Sequence, residues 1–117
     1  MDHLGDSEME IPFSDWEKMQ LVVGKIEKAE DHPKADKLYV LEVDLGTEVK
    51  RLVAGLKQHY SKEELVGKRV IVFANLAPAV IRGVKSEGMV LAAVNDDESS
   101  VVLLAPEKDI EVGSRVR

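Results

Sequence analysis

An all-β class is predicted for this chain of 117 residues, a small barrel of five strands, and three observations carry the prediction. Tyr39, Leu41, Val43 and Leu45 recur at every second residue with Glu42 and Asp44 between them, the pattern of a strand buried on one face. β-Branched runs recur at 21–30, 49–54, 69–75, 88–94 and 101–105. Helix-start signals are confined to two short stretches, one before the first run and one at residues 61–65.

Taken in order, residues 1–11 show no sustained period and read as a flexible acidic lead, which leaves 12–117 as one domain. Ser14 followed by Glu17 is a capping-box pair, so a short helix is expected with Ser14 as its N-cap. So short a helix does not stand alone, and Phe13, Trp16 and Met19 are expected to pack on the body or on a second copy of the chain. Residues 21–30 form the first strand, with Gly24 marking a bend or bulge. A polar loop follows at Asp31, His32, Pro33, Lys34, Ala35 and Asp36, because the residue before a proline is pushed out of the helical region.

The alternating strand at 39–45 turns at Gly46, Thr47 and Glu48 into 49–54, predicting a hairpin. Ser61 and Glu64 repeat the capping-box spacing, with Gly67 as the stop of a second short helix. Strands at 69–75, 88–94 and 101–105 complete the set, the last as a C-terminal β extension. Three strands, a helix and further strands is the order of the OB-fold, a partly open barrel whose second and third strands and flanking loops bind oligonucleotides or oligosaccharides.

With 44% hydrophobic and 32% charged residues the composition is that of a folding chain. The absence of cysteine excludes disulfides, thiolate metal sites and cysteine nucleophiles, and points to the cytoplasm. No apolar run approaches membrane-spanning length, so no membrane association is expected. The net charge of −6 argues against nucleic acid, but its distribution changes the argument. Residues 1–20 carry −5 and 95–117 carry −3, whereas 21–94 carry twelve basic and ten acidic residues. A mildly basic surface on the central body is therefore permitted.

No glycine pattern fits a phosphate loop or a dinucleotide fold, and no cofactor is assigned. His3, His32 and His59 lack the spacing of a metal site, and no metal is assigned. The acidic pairs Asp96 with Asp97 and Glu63 with Glu64 fall in a turn and on an exposed helix, where solvated charge explains them; a non-enzymatic chain is expected. Five aromatics are too few for a surface that stacks single-stranded bases, so recognition of the backbone and shape of a folded RNA fits better. Residues 75–89 form the most unusual stretch, a loop with a proline and two glycines; on the residues alone, a plain connection and a binding loop stand equally open.

Several separate motifs, in order, are similar to the tRNA-binding domain of methionyl-tRNA synthetases and stand-alone tRNA-binding proteins. They are Phe13-Ser14-Asp15-Trp16, Val23-Gly24-Lys25-Ile26, the run from His32 to Tyr39, Ala54-Gly55-Leu56, Asn75-Leu76, Arg82-Gly83-Val84, Ser86-Glu87-Gly88-Met89 and the run from Val112 to Val116. The resemblance implies an OB-fold that grips the outside corner of tRNA with little sequence preference, is homodimeric in stand-alone members, and assists an aminoacyl-tRNA synthetase. It places Lys37, Asn75, Arg82, Ser86 and Met89 at the RNA surface and Phe13, Trp16 and Met19 at a dimer seam. Lys37 and Arg82 would neutralise phosphates, while Asn75 and Ser86 would offer hydrogen bonds. The sequence departs from the family at Val22, Ala77, Ala79 and Val80, where basic residues are common. A similar domain in a cytokine precursor that joins synthetase complexes implies that the fold also serves protein interaction, and the apolar residues at 22, 77, 79 and 80 with the acidic tails favour the alternative, a dimerisation and tethering module with weakened RNA binding.

Overall fold

The computed structural model describes residues 9–117, so most of the acidic lead, residues 1–8, lies outside the described residues. In chain order the elements are α1 (Phe13–Lys18), β1 (Leu21–Asp31), β2 (Tyr39–Asp44), β3 (Val49–Ala54), α2 (Lys62–Leu65), β4 (Arg69–Phe73), β5 (Ala79–Ile81), β6 (Val84–Ser86), β7 (Met89–Val90), β8 (Ala92–Val94) and β9 (Val101–Leu103). Five strands make an antiparallel sheet in the order β3-β2-β1-β4-β7, curled into a nearly closed barrel of the OB type. The pairs β5-β6 and β8-β9 are separate hairpins.

β1 makes the curl possible because it pairs twice. Leu21 to Lys25 face Phe73 to Arg69 of β4, while Lys25 to Asp31 face Asp44 to Tyr39 of β2. The strand bends at a register shift between Ile26 and Lys28, not at Gly24 as expected. Gly24 serves close packing instead: a Cβ there would lie 2.7 Å from Val43 Cγ1 and 2.9 Å from Leu45 Cδ2.

Tyr39, Leu41 and Val43 alternate into the core as the sequence predicts, meeting Ile26, Leu52, Val70 and Val72. Leu65 of α2 closes one end of this core, and truncating such a fully buried leucine to alanine costs about 2–5 kcal/mol. Its helix starts as read, since Ser61 Oγ accepts from the Glu64 amide at 3.2 Å and Glu64 Oε2 accepts from the Ser61 amide at 2.7 Å.

Three expectations require correction. The capping box at Ser14 and Glu17 does not form: α1 begins two residues earlier, with Pro12 as N-cap and no side-chain cap, because Phe13 is already helical and the Asp15 amide bonds the Pro12 carbonyl at 2.9 Å. Residues 75–89 are not a plain loop but contain the β5-β6 hairpin. The run 88–94 is divided between two sheets, β7 pairing with β4 and β8 with β9. Leu91 is the switch, its amide bonding the Ile71 carbonyl at 2.9 Å while its carbonyl accepts from Leu104 at 3.1 Å.

The last gap in the barrel, between β3 and the start of β7, is closed by side chains. Ser86 Oγ accepts from the Val53 amide at 3.0 Å and donates to the Gly88 carbonyl at 2.9 Å. Glu87 Oε1 accepts from the Arg51 amide at 2.9 Å, and its own amide returns a bond to the Arg51 carbonyl at 2.8 Å. These contacts replace the missing strand ladder and satisfy an edge that would otherwise stand open.

Candidate nucleic-acid interface

Two elements that are far apart in sequence build one basic concavity. The first is the loop from His32 to Leu38, closed on itself by the His32 amide on the Leu38 carbonyl at 3.1 Å. The second is the β5-β6 hairpin, whose two-residue turn places Arg82 at φ 51° and Gly83 at φ 90°. A turn with both central residues left-handed matches the twist of the flanking strands, and glycine takes such a φ without strain. Arg82 adopts it with a side chain, and its guanidinium reaches the loop, Nη2 donating to the Lys34 carbonyl at 3.2 Å. Lys34, Lys37 and Arg82 line a shallow concavity of about 400 Å³ with Ala35, Asp36 and Leu38.

Beyond this concavity the charge is mixed. Lys50, Arg51 and Lys85 border a second depression with Glu42 and Glu87, and Lys28 and Arg51 a third with Glu30, Asp31 and Glu42. Among the described residues no ion pair involves Lys34, Lys37, Arg82 or Lys85. By contrast Lys57 and Lys62 each lie 3.3 Å from an Asp31 carboxylate oxygen, and their hydrogen bonds hold that carboxyl below its ordinary range.

Of the five residues assigned to the RNA surface, the structure brings Lys37 and Arg82 together and sets the other three elsewhere. Asn75 is exposed, but its Oδ1 accepts from the Gln20 amide at 2.8 Å and its Nδ2 donates to the Lys18 carbonyl at 2.7 Å, clasping the α1–β1 connection to the end of β4. Ser86 is 3% exposed and engaged in the barrel seam. Met89 lies on β7, paired with Phe73, with its side chain partly exposed. Sequence reading missed Lys34, Lys85, Arg51 and Lys28. Lys34 belongs to the same loop motif as Lys37, so its signal was available; Arg51 is exposed although Val53, on the same side of β3, is buried.

The positions of departure are now located. Ala77, Ala79 and Val80 are exposed on or beside β5, where they present apolar surface next to Arg82. Val22 is half-buried on β1, bridged to Arg115 of the C-terminal segment.

A separate apolar surface lies at α1. Phe13 is 69% exposed, Trp16 and Met19 are half-buried, and all three line a concavity with Arg115, Val116 and Arg117. Arg115 fixes its floor, donating to the Met19 carbonyl at 2.9 Å.

No helix among the described residues is long and apolar enough to cross a membrane, and no cluster of His, Asp or Glu among them suits a metal ion.

Comparison with known proteins bears on the family and the fold. The family model of the tRNA binding domain matches residues 21–115. The chain is 54% identical over 113 residues to a methionine–tRNA ligase of Pyrococcus horikoshii, covering 96% of this chain and 15% of that protein. It is 52% identical over 107 residues to the corresponding ligase of Thermococcus onnurineus, covering 92% of this chain and 14% of that one. The chain thus spans about one-seventh of these relatives. Among solved structures, a MetRS related protein from Pyrococcus horikoshii superimposes with a TM-score of 0.85 at 36% identity, covering 93% of this chain and 100% of that one. The chaperone CsaA from Bacillus anthracis gives 0.83 at 29% identity, covering 92% and 99%. Motifs, barrel and paired basic loops converge, and the chain belongs to the tRNA-binding domain family.

Proposed function

We propose that the domain formed by residues 12–117 binds the folded body of tRNA without catalysing a reaction and with little sequence preference. The carrying observation is the pairing of two distant basic elements in one concavity, Lys34 and Lys37 from one and Arg82 from the other. Lys37 and Arg82 contact phosphates in this concavity, Asn75 and Met89 meet the RNA outside it, and the Ser86 hydroxyl serves RNA contact only through the fold it holds. The methionine–tRNA ligase relatives support a role beside a synthetase, methionyl first, and a cytoplasmic location goes with that proposed role. Such a module works by raising the local concentration of tRNA near the enzyme. Titrating unfractionated tRNA at about 50 and 200 mM salt tests this, since each phosphate contact adds about −0.9 to the logarithmic salt slope. Micromolar binding that weakens with salt supports the reading; no binding at the lower salt removes it.

A second reading is favoured by α1. With Phe13, Trp16 and Met19 presented beside the C-terminal segment, the chain forms a homodimer, as a β-subunit-type tRNA-binding protein would, and tethers synthetase subunits. The apolar Ala77, Ala79 and Val80 weaken RNA binding in the same direction. Light scattering on a size-exclusion column distinguishes a dimer of about 26 kDa from the 13.0 kDa monomer. Deleting residues 1–20 is expected to give the monomer, and a surviving dimer counts against the α1 seam.

A further inference from the structure

His32 is 5% exposed although Asp31 and Pro33 on either side of it are exposed. A buried imidazole needs partners for its ring nitrogens, and both are present. Nδ1 accepts from the Lys34 amide at 2.9 Å, and Nε2 lies 3.0 Å from the Ile81 carbonyl oxygen. An amide can only donate and a carbonyl can only accept, so these partners assign the neutral tautomer with its proton on Nε2.

The ring therefore joins two elements that share no strand ladder. One bond organises the loop that carries Lys34 and Lys37; the other grips Ile81, the residue before the Arg82-Gly83 turn. The Lys34 peptide group is held from both sides, its N–H by His32 and its C=O by Arg82. The Arg82 bond is exposed and competes with water, whereas the His32 bonds are sheltered. Without the sheltered link, the turn would keep only its own two-residue hairpin and one exposed contact to the loop.

We propose that His32 is a positioning residue for the basic concavity: through Nε2 it holds the Arg82 turn against the 32–38 loop, so that Arg82, Lys34 and Lys37 meet phosphates already assembled. The inference rests on the tRNA-binding reading above. Its physical basis is preorganisation, because a turn that moves freely must be ordered during binding, and that cost is subtracted from the affinity. His32 does not touch the RNA; it acts through Arg82.

Two substitutions separate the two ring bonds. In His32→Asn the side-chain oxygen stands near the place of Nδ1 and keeps the Lys34 bond while losing the link to Ile81. In His32→Gln the amide nitrogen stands near the place of Nε2 and keeps the link. The full chain is titrated with unfractionated tRNA for each variant, alone and combined with Arg82→Ala, and amide hydrogen exchange is followed at Arg82, Gly83 and Val84 in the free protein. We expect His32→Asn to weaken binding about three- to tenfold, His32→Gln to weaken it less, and His32→Asn to add nothing once Arg82 is alanine. Exchange at the turn should quicken in His32→Asn and stay slower in His32→Gln.

Equal binding by His32→Asn and the unmodified chain overturns the inference. So does an undiminished effect of His32→Asn in the Arg82→Ala background, or a loss in His32→Gln as deep as in His32→Asn. Absence of tRNA binding by the unmodified chain removes the reading under Proposed function, whereas unchanged exchange at the turn in His32→Asn removes this inference alone.

Discussion

Arg82 and Ser86 lie on one hairpin within a few residues of each other, and both belong to motifs that the family resemblance assigns to RNA contact. Their surroundings differ. Arg82 is exposed at the turn, with one bond to a loop carbonyl and the rest of its fork free for solvent or ligand. Ser86 is buried, and its hydroxyl both accepts and donates within the barrel seam. One hairpin thus contains a residue left at the surface and a residue that closes the fold, and only burial and hydrogen bonding separate them.

The strongest way to break this comparison is Ser86→Ala. It leaves the Val53 amide buried without its acceptor, which costs about 1–3 kcal/mol, measurable as a lower midpoint in denaturant. The surviving folded fraction should bind tRNA nearly as the unmodified chain does; a loss of affinity with unchanged stability would place Ser86 at the RNA instead. Arg82→Ala is the converse: stability within about 0.5 kcal/mol of the unmodified chain, as for other surface substitutions. Affinity for tRNA should fall about three- to tenfold with a shallower salt dependence, read by titration at two salt concentrations.

A gain sharpens the contrast further. Val80 is 71% exposed on β5, and Val80→Lys should steepen the salt slope by about 0.9 if the hairpin lies against phosphates. An unchanged slope would confine the RNA surface to the turn and the 32–38 loop.

The smallest effect concerns Asp31, at the far side of that loop. Lys62 and Lys57 hold its carboxyl below the ordinary value of 3.8. A lowered folded value means that the contribution is present above 3.8 and is lost as the pH falls below 3.8 through the folded value. Asp31→Asn should therefore differ slightly from the unmodified chain at neutral pH, with the two acid-unfolding curves converging at the acid end.

The barrel was legible because its signals are local. Alternation at Tyr39, Leu41 and Val43 needs only its own strand, and the box at Ser61 and Glu64 needs only four residues. Ser14 and Glu17 show the same spacing and make no box, because helix entry was decided two residues earlier, at Pro12. The β5-β6 hairpin escaped notice since its turn is Arg-Gly, not the Asn-Gly or Asp-Gly that advertises two left-handed residues. At the site, Lys37 and Arg82 could be named from the sequence, but their meeting depends on His32 and Ile81, which are 49 residues apart. The engagement of Ser86 with Val53 spans 33 residues and leaves no periodic trace.

The side-chain seam has a consequence during synthesis. β3 is translated before Ser86 and Glu87, so the Arg51 and Val53 amides leave the ribosome while their eventual acceptors are still behind them in the growing chain. For that interval the sheet has an open rim able to recruit another strand, and the Ser-Glu pair is the latch whose arrival ends the exposure.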